Sequence, residues 1–380
     1  MEAFSFHNPT KILFGADQIL PLGQEMKQDG ISKCLLIAGG GSLKINGAYT
    51  QITNAFGACG IELIECWGVQ ANPTLEKVKE IVELQKQSGA QAILAAGGGS
   101  VIDTAKAVAA GVYLQDPWNA FSGKEKITQA LPIYTVLTIS ATGSEMNGNA
   151  VITNSETRQK WGMFSPLVYP KISVIDPALQ NSLPFKQTAN GAMDAIAHIL
   201  EFYFANEHAY STLAIDEALL NTIIEMADIL HKEPRNIHAR GSLAWSATLA
   251  LNGISEVGMK GGDWGCHAIE HAFSALNPKI AHGEGLGVIF PAWIEYFSEK
   301  HPTRFVRWAK KVWNEDSIAL AVRRFRDKLQ SWGMASSLRD LGIKYDELPL
   351  LLDMIMIQPE LGGVFKLKKE ELRSLLMLAF

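Results

Sequence analysis

Cysteine is scarce in this 380-residue chain, which has four: Cys34, Cys59, Cys66 and Cys266. None forms a Cys-x-x-Cys pair, so neither a disulfide framework nor a cysteine zinc site is expected, and free buried thiols in a reducing cytoplasm fit best. A strong excess of one charge is also missing. The formal net charge is −5, which excludes the basic footprint of a nucleic-acid binder. No apolar run reaches the roughly 18 residues that a membrane-spanning helix needs. Residues 1–7 lack a basic stretch followed by an apolar one, so no secretory leader is expected, and a cytoplasmic location follows. Internal repeats, low-complexity tracts and long charge runs are absent as well.

What is present reads as a folded enzyme of two parts. Hydrophobic residues make up 47% and charged residues 19%, the balance of a globular protein, and the length exceeds what one core usually serves. The front half alternates short apolar runs with amphipathic segments. Strands are predicted over residues 34–38, 61–66, 92–96 and 133–139. A helix is predicted after Asn72-Pro73, with Thr74 as N-cap, Leu75, Val78, Ile81 and Val82 on one face, and Ser88-Gly89 as the stop. Such alternation predicts a parallel sheet covered by helices, with ligands at the carboxyl ends of its strands. Behind about residue 181 the pattern turns helical, over 189–204, 211–230, 239–251 and 315–332. The predicted division is an α/β dinucleotide-binding domain over 1–182 and an all-helical metal-binding domain over 183–380.

Two glycine loops carry the first chemical signal. Gly39-Gly40-Gly41-Ser42 follows the first predicted strand, and Gly97-Gly98-Gly99-Ser100 follows the third and opens a helix. Glycine admits a phosphate close to the backbone, and a helix N-terminus offers unpaired N–H groups and the positive end of its dipole. Ser100 is a candidate both to cap the helix and to bond a phosphate oxygen. Neither loop matches G-x-G-x-x-G, because Lys44 and Ile102 hold the last glycine position, so tight strand-to-helix turns remain an alternative. The hydroxyl-rich stretch Thr138-Ile139-Ser140-Ala141-Thr142-Gly143-Ser144-Glu145 follows the fourth strand. It reads equally as a phosphate contact or an ordinary loop.

The second signal is a set of acidic and imidazole side chains. Asp194 and His198 stand at i, i+4 on one helix face, His267 and His271 repeat the spacing, and His282 follows eleven residues later. One carboxylate with several imidazoles suits a divalent ion such as Fe²⁺ or Zn²⁺. A rival lies in the same residues. His267-Ala268-Ile269-Glu270-His271 matches H-x-x-E-H, in which both histidines would bind zinc and Glu270 would be the base of a metallohydrolase.

Taken together these motifs resemble the iron-containing (group III) alcohol dehydrogenases, and in particular their butanol dehydrogenases and broad-range aldehyde reductases. The resemblance runs from Phe6-His7-Asn8-Pro9-Thr10-Lys11-Ile12 through residues 97–106, Ala141-Thr142-Gly143-Ser144-Glu145 and Asn190-Gly191-Ala192-Met193-Asp194-Ala195-Ile196-Ala197-His198 to Leu375-Leu376-Met377-Leu378-Ala379. It implies a dehydroquinate-synthase-like pair of domains with the metal in the cleft between them. It also implies hydride transfer between a nicotinamide cofactor and a primary alcohol or aldehyde, in a homodimer. Carried over by position, Asp194, His198, His267 and His282 would be the metal ligands, and His271 would stand near the nicotinamide as the catalytic proton donor. Gly40, Gly41, Ser42, Lys44, Asn72, Gly97, Gly98, Gly99, Ser100, Asp103, Thr138, Ser140, Thr142 and Lys160 would face the cofactor. Asn147 and Trp264 are weaker candidates for the substrate side. The first loop holds no acid for a ribose 2′-hydroxyl, whereas Ser42 and Lys44 suit a 2′-phosphate, so NADP(H) is expected; Glu65 argues for NAD. A glycerol dehydrogenase-like polyol oxidoreductase is the near alternative. No nucleic-acid or membrane partner is expected.

Overall fold

A computed structural model describes residues 1–357 and 359–380 of the chain. It divides into two compact units.

The first unit comprises His7–Pro184 with Glu233–Thr248. Its strands are β1 (Lys11–Phe14), β2 (Lys33–Ala38), β3 (Glu62–Cys66), β4 (Ala92–Gly97), β5 (Ile133–Leu137), β6 (Asn149–Asn154), β7 (Gln159–Phe164) and β8 (Ile172–Ile175). Six of them form one parallel sheet in the order β1-β8-β5-β4-β2-β3, and β6 and β7 make a separate antiparallel hairpin. The helices of this unit are α1 (Ile19–Gln28), α2 (Ser42–Ile45), α3 (Ala48–Cys59), α4 (Leu75–Ser88), α5 (Gly99–Gly111) and α6 (Trp118–Phe121).

Alternation along the central strands builds a core on each sheet face. Leu35, Ile37, Ile93 and Ala95 pack with Val78, Ile81, Val82 and Val108 of α4 and α5. Cys34, Leu36, Ala38, Leu94 and Ala96 pack with Leu22, Met26, Ile52 and Phe56 of α1 and α3. Burial on both faces is why these strands read as unbroken apolar runs. The helix expected after Pro73 is α4. The Thr74 hydroxyl accepts from the Lys77 amide at 3.3 Å, and Gly89 ends it at φ 66°, a left-handed conformation that suits glycine.

The second unit comprises Met1–Phe6, Phe185–Lys232 and Leu249–Phe380. It holds α7 (Phe185–Tyr203), α8 (Tyr210–Lys232), α10 (Gly265–Leu276), α11 (His282–Ser298), α12 (Pro302–Trp313), α13 (Ile318–Ser331), α14 (Leu348–Ile355) and α15 (Lys369–Leu378), whereas α9 (Ile237–Ala250) belongs mostly to the first unit. That grouping differs from a single cut at residue 182. Its cause is local: Trp245 meets the ring of Phe14 edge-on, Thr248 donates to Glu145 at 2.5 Å, and Ala244 lies in the core beside α4 and α5.

Other differences from the sequence reading are also local. β1, β8 and the β6–β7 hairpin were not foreseen, and β5 stops at Leu137, two residues short of the expected end. α7 begins four residues before the expected start at 189. Among the described residues all four thiols are free, and Cys59 is only half-buried. No helix of the described residues is long and apolar enough to cross a membrane.

Candidate metal centre and cofactor loops

The helical unit gathers the acidic and imidazole residues through its small side chains. At Gly283, in the first turn of α11, a Cβ would lie 2.0 Å from the Asn190 carbonyl oxygen of α7. At Gly285 a Cβ would lie 2.8 Å from Cγ of Glu270 on α10. Only bare backbone fits at these positions, and it brings His282, the first residue of α11, against α7 and α10.

Ligand atoms of Asp194, His267 and His282 lie within 4.8 Å of one another. Nε2 of His282 stands 3.5 Å from Oδ1 of Asp194, and Nε2 of His198 stands 3.6 Å from the same oxygen. His198 is outside the tightest trio, yet its ring stacks on that of His267 with centroids 5.0 Å apart. Burial pushes the His198 imidazole down to about 3, against the pull of Asp194, and nearby His267 and His282 add to the drop. It is therefore neutral and able to act as a ligand.

Three buried polar atoms at this centre, Oδ1 of Asp194, Nδ1 of His198 and Nε2 of His267, have no hydrogen-bond partner. Buried polar groups are rarely left so. A divalent cation among Asp194, His198, His267 and His282 would satisfy the carboxylate oxygen and Nε2 of His267 together, so the residues fit a metal ion. Cys266 adjoins the centre, but burial raises its thiol far above the ordinary value, so it is not available as a thiolate.

Two glutamates escaped the sequence reading in this role. Oε1 of Glu201 lies 2.8 Å from Nδ1 of His267, and its carboxylate also accepts from the backbone amides of His267 and Trp264. Oε2 of Glu270 contacts Nδ1 of His282. Glu201 stands seven residues after Asp194, on the same face of α7, and that spacing was the available signal.

Glu270 is fully buried and bound to His282, which leaves it badly placed to activate a water as a hydrolase base. His271 is half-buried and groups with Glu270 and His282, not with His267. Its ring centroid lies 5.4 Å from that of His282. Trp264 caps α10 at φ 60° and sets its ring 5.1 Å from that of His267.

In the α/β unit, β3 lies on one side of β2 and β4 on the other, so the strand order reverses between β2 and β4. Both glycine loops leave the carboxyl ends of these two adjacent strands, where Ala38 pairs with Ala96. In open α/β sheets this is the ligand crevice. The glycines divide by cause. A Cβ at Gly97 would strike Val101 at 2.5 Å, one at Gly98 would meet Ile139 at 3.1 Å, and one at Gly99 would strike Thr142 at 2.5 Å. These three are needed for packing. At Gly40 and Gly41 a Cβ would meet nothing within 4 Å, so no internal contact explains those two glycines.

Ser42 and Lys44 are exposed beside them, on α2. The Lys44 ammonium lies 4.6 Å from the ring of Trp67 and 5.2 Å from that of Tyr49. Glu65 accepts from the Tyr49 hydroxyl at 2.8 Å and from the Trp67 indole at 2.7 Å. Both of its carboxylate oxygens are thus already engaged.

The remaining candidates vary. Lys160 on β7 donates to Asn72 at 3.0 Å, so these two do come together. Thr138 follows β5 directly, and its amide donates to the Gly97 carbonyl. Ser140 pairs with Gln180. Thr142 accepts from the Ser144 amide. Asp103 accepts from Ser144 and from the Val151 amide, so its carboxylate ties α5 to β6. Ser100 is the second residue of α5 and not its cap, which is Gly98. Asn147 accepts from Lys106 and donates to the Thr142 carbonyl, so it braces this loop. Lys106 itself is fully buried and also donates to Ser144 and to the Asn149 carbonyl; burial lowers it to about 8.

Comparison with known proteins bears on both halves. Residues 9–177 match the family model described as iron-containing alcohol dehydrogenase, and residues 188–379 match that of the Fe-containing alcohol dehydrogenase family, C-terminal. The chain is 39% identical to NADH-dependent butanol dehydrogenase A of Clostridium acetobutylicum, over 92% of each chain. It is 34% identical to the NADPH-dependent aldehyde reductase YqhD of Escherichia coli, over 93% of this chain and 92% of that one. The crystal structure of NADH-dependent butanol dehydrogenase A from Thermotoga maritima superposes with a TM-score of 0.97 at 47% identity, covering 100% of this chain and 99% of that one. These matches overturn the metallohydrolase reading of His267-x-x-Glu270-His271.

Proposed function

The chain belongs to the iron-containing alcohol dehydrogenase family, and from that premise we propose that it is an NADP(H)-linked aldehyde reductase acting on small primary alcohols and their aldehydes. The observation that carries the reading is the convergence of Asp194, His267 and His282, with His198 alongside, on buried polar atoms that lack partners. When bound, the divalent ion, Fe²⁺ or Zn²⁺, supplies Lewis acidity at the substrate oxygen, and the nicotinamide supplies hydride.

The chain's own residues do the rest. Asp194, His198, His267 and His282 hold the ion, and Trp264 packs against His267 and shields that side from water. His271 shares the α10 face of His267 one turn on, and it gives a proton to the oxygen of the reduced product; imidazole suits that task near neutral pH. The open backbone at Gly40 and Gly41 and the first turn of α5 admit the cofactor phosphates. Asn72 and Lys160 steady it further along. The preference for NADP(H) rests on Lys44 and Ser42, with both carboxylate oxygens of Glu65 already engaged by Tyr49 and Trp67. The four butanol dehydrogenases among the relatives are NADH-named and the aldehyde reductase is NADPH-named, so the preference rests on these side chains alone. β1 is one of the sheet's two edge strands, with Phe14 exposed on it, and we assign it to a homodimer contact.

The test is direct. Purified protein is assayed for NADPH and NADH oxidation with C2–C6 aldehydes, before and after chelation and metal restoration. Chelator-sensitive reduction that favours NADPH is expected. Equal or better kcat/KM with NADH overturns the cofactor preference, and activity untouched by complete metal removal overturns the metal role.

A further inference from the structure

Beyond the ligands, the helical unit shows a repeated arrangement. Glu201 of α7, the helix that carries Asp194 and His198, reaches Nδ1 of His267 on α10. Glu270 of α10 in turn reaches Nδ1 of His282 on α11. Each helix thus orients an imidazole of the next. Both carboxylates are almost wholly buried. A carboxylate accepting at Nδ1 keeps the proton on that nitrogen and turns the Nε2 lone pair away from it, toward the centre. His198 has no such partner; its Nδ1 is buried without a hydrogen bond, and its ring is held by stacking on His267.

We propose that Glu201 and Glu270 are positioning residues that fix the tautomer and direction of His267 and His282, and so set how tightly the divalent ion is held. The inference rests on the metal-centre reading above. Glu270 carries the greater share. His282 is the most exposed of the four ligands, with 23% of its side chain accessible against 5% for Asp194 and 6% for His198. It is also the first residue of its helix, so less surrounds it. Gly285 leaves the space in which Glu270 lies, since a Cβ there would press on its Cγ.

Two variants separate charge from contact. In Glu270→Gln the amide oxygen can still accept from Nδ1–H but the charge is gone, whereas Glu270→Ala removes both. The probe is Zn²⁺, titrated into chelator-stripped full-length protein against a competing indicator. Partners of this kind alter metal affinity by about 10–100-fold. Glu270→Ala is expected to weaken Zn²⁺ binding by about that factor, with Glu270→Gln between it and the wild type, while the melting temperatures of the metal-free forms stay alike. Cobalt-loaded Glu270→Ala should also show altered visible absorption bands. Wild-type affinity in Glu270→Ala overturns the proposal. So does a fall in metal-free melting temperature that accounts for the lost affinity, because that is a purely structural role. Glu201→Gln is the parallel test, and if it fails to fold, since Glu201 also holds the Trp264 and His267 amides, the Glu270 pair decides. A wild type that binds no stoichiometric Zn²⁺ overturns the metal centre itself, a result distinct from either.

Discussion

Replacing Gly283 by alanine tests how the metal centre is assembled. The new Cβ would lie 2.0 Å from the Asn190 carbonyl oxygen, 2.7 Å from its carbonyl carbon and 2.9 Å from its Cα. All three are backbone atoms inside α7, so no side chain can turn away. Reaching even a close contact of about 3.4 Å requires α11 and α7 to part by about 1.4 Å. His282 adjoins Gly283 and must move with it, whereas Asp194 is anchored on α7. Metal ligation tolerates displacements of only about 0.2 Å. The expected outcome is a folded protein, destabilised by roughly 1–3 kcal/mol through overpacking, that has lost most of its bound metal and its aldehyde reduction. Elemental analysis of the purified variant, with circular dichroism and a melting curve, reads both effects. A Gly283→Ala protein with full metal content and normal turnover would refute the claim that close approach of these two helices places His282.

Three further outcomes follow from the same geometry. His271→Ala should keep its metal and its NADPH affinity but reduce aldehydes slowly; metal loss equal to that of His267→Ala would make His271 a ligand instead. Lys44→Ala should lower kcat/KM with NADPH by about 10–100-fold, the worth of a charge-assisted bond of roughly 1.5–3 kcal/mol, and leave NADH turnover nearly unchanged; equal losses with both cofactors would remove Lys44 from 2′-phosphate recognition. Asp263, which accepts from the Val364, Phe365 and Gly265 amides, is raised by burial to about 6 from 3.8. The folded protein therefore takes up a proton there between about pH 6 and 4 that the unfolded chain does not, and this group adds stability as pH falls through that window, by at most about 3 kcal/mol. Asp263→Asn cannot make that gain, so its melting temperature should drop relative to the wild type between pH 7 and 4, and a pH-independent difference between the two would count against the reading.

How far the sequence carried depended on how local each cause was. β2, β4, β5 and α4 were legible because burial on both sheet faces and a Thr74 cap write themselves into consecutive residues; β3, an edge strand, was legible from its apolar run although it is only partly buried. β1 and β8 were not, since they are four-residue strands whose pairing depends on partners far along the chain: Lys11 lies opposite Ile172. α11 was hidden by Gly283, Gly285, Gly287 and Pro291, which lower helix propensity but here serve close packing and are overridden by it. Ser100 was misread as a cap because a serine before an apolar run usually is one, and the helix in fact begins one residue earlier, at Gly99.

The centre itself shows the same division at smaller scale. Spacing singled out Asp194 with His198 and His267 with His271 as i, i+4 pairs, with His282 eleven residues further on, and the choice of Asp194, His198, His267 and His282 among them came from the family resemblance. Glu201 and Glu270 were missed or misassigned because a glutamate on a helix is ordinarily a solvated residue, and its spacing alone does not say which way it faces. Only the tertiary structure shows that each is almost wholly buried against an imidazole. A carboxylate held so far from water must be compensated by what it touches. For Glu201 part of that compensation comes from the Trp264 and His267 amides, and for both glutamates a neutral imidazole donates from Nδ1 and leaves its Nε2 lone pair for a cation. The burial of these two glutamates against Nδ1 of His267 and His282 thus adds to the partnerless Oδ1 of Asp194 and Nε2 of His267 as an argument that an ion belongs between these helices.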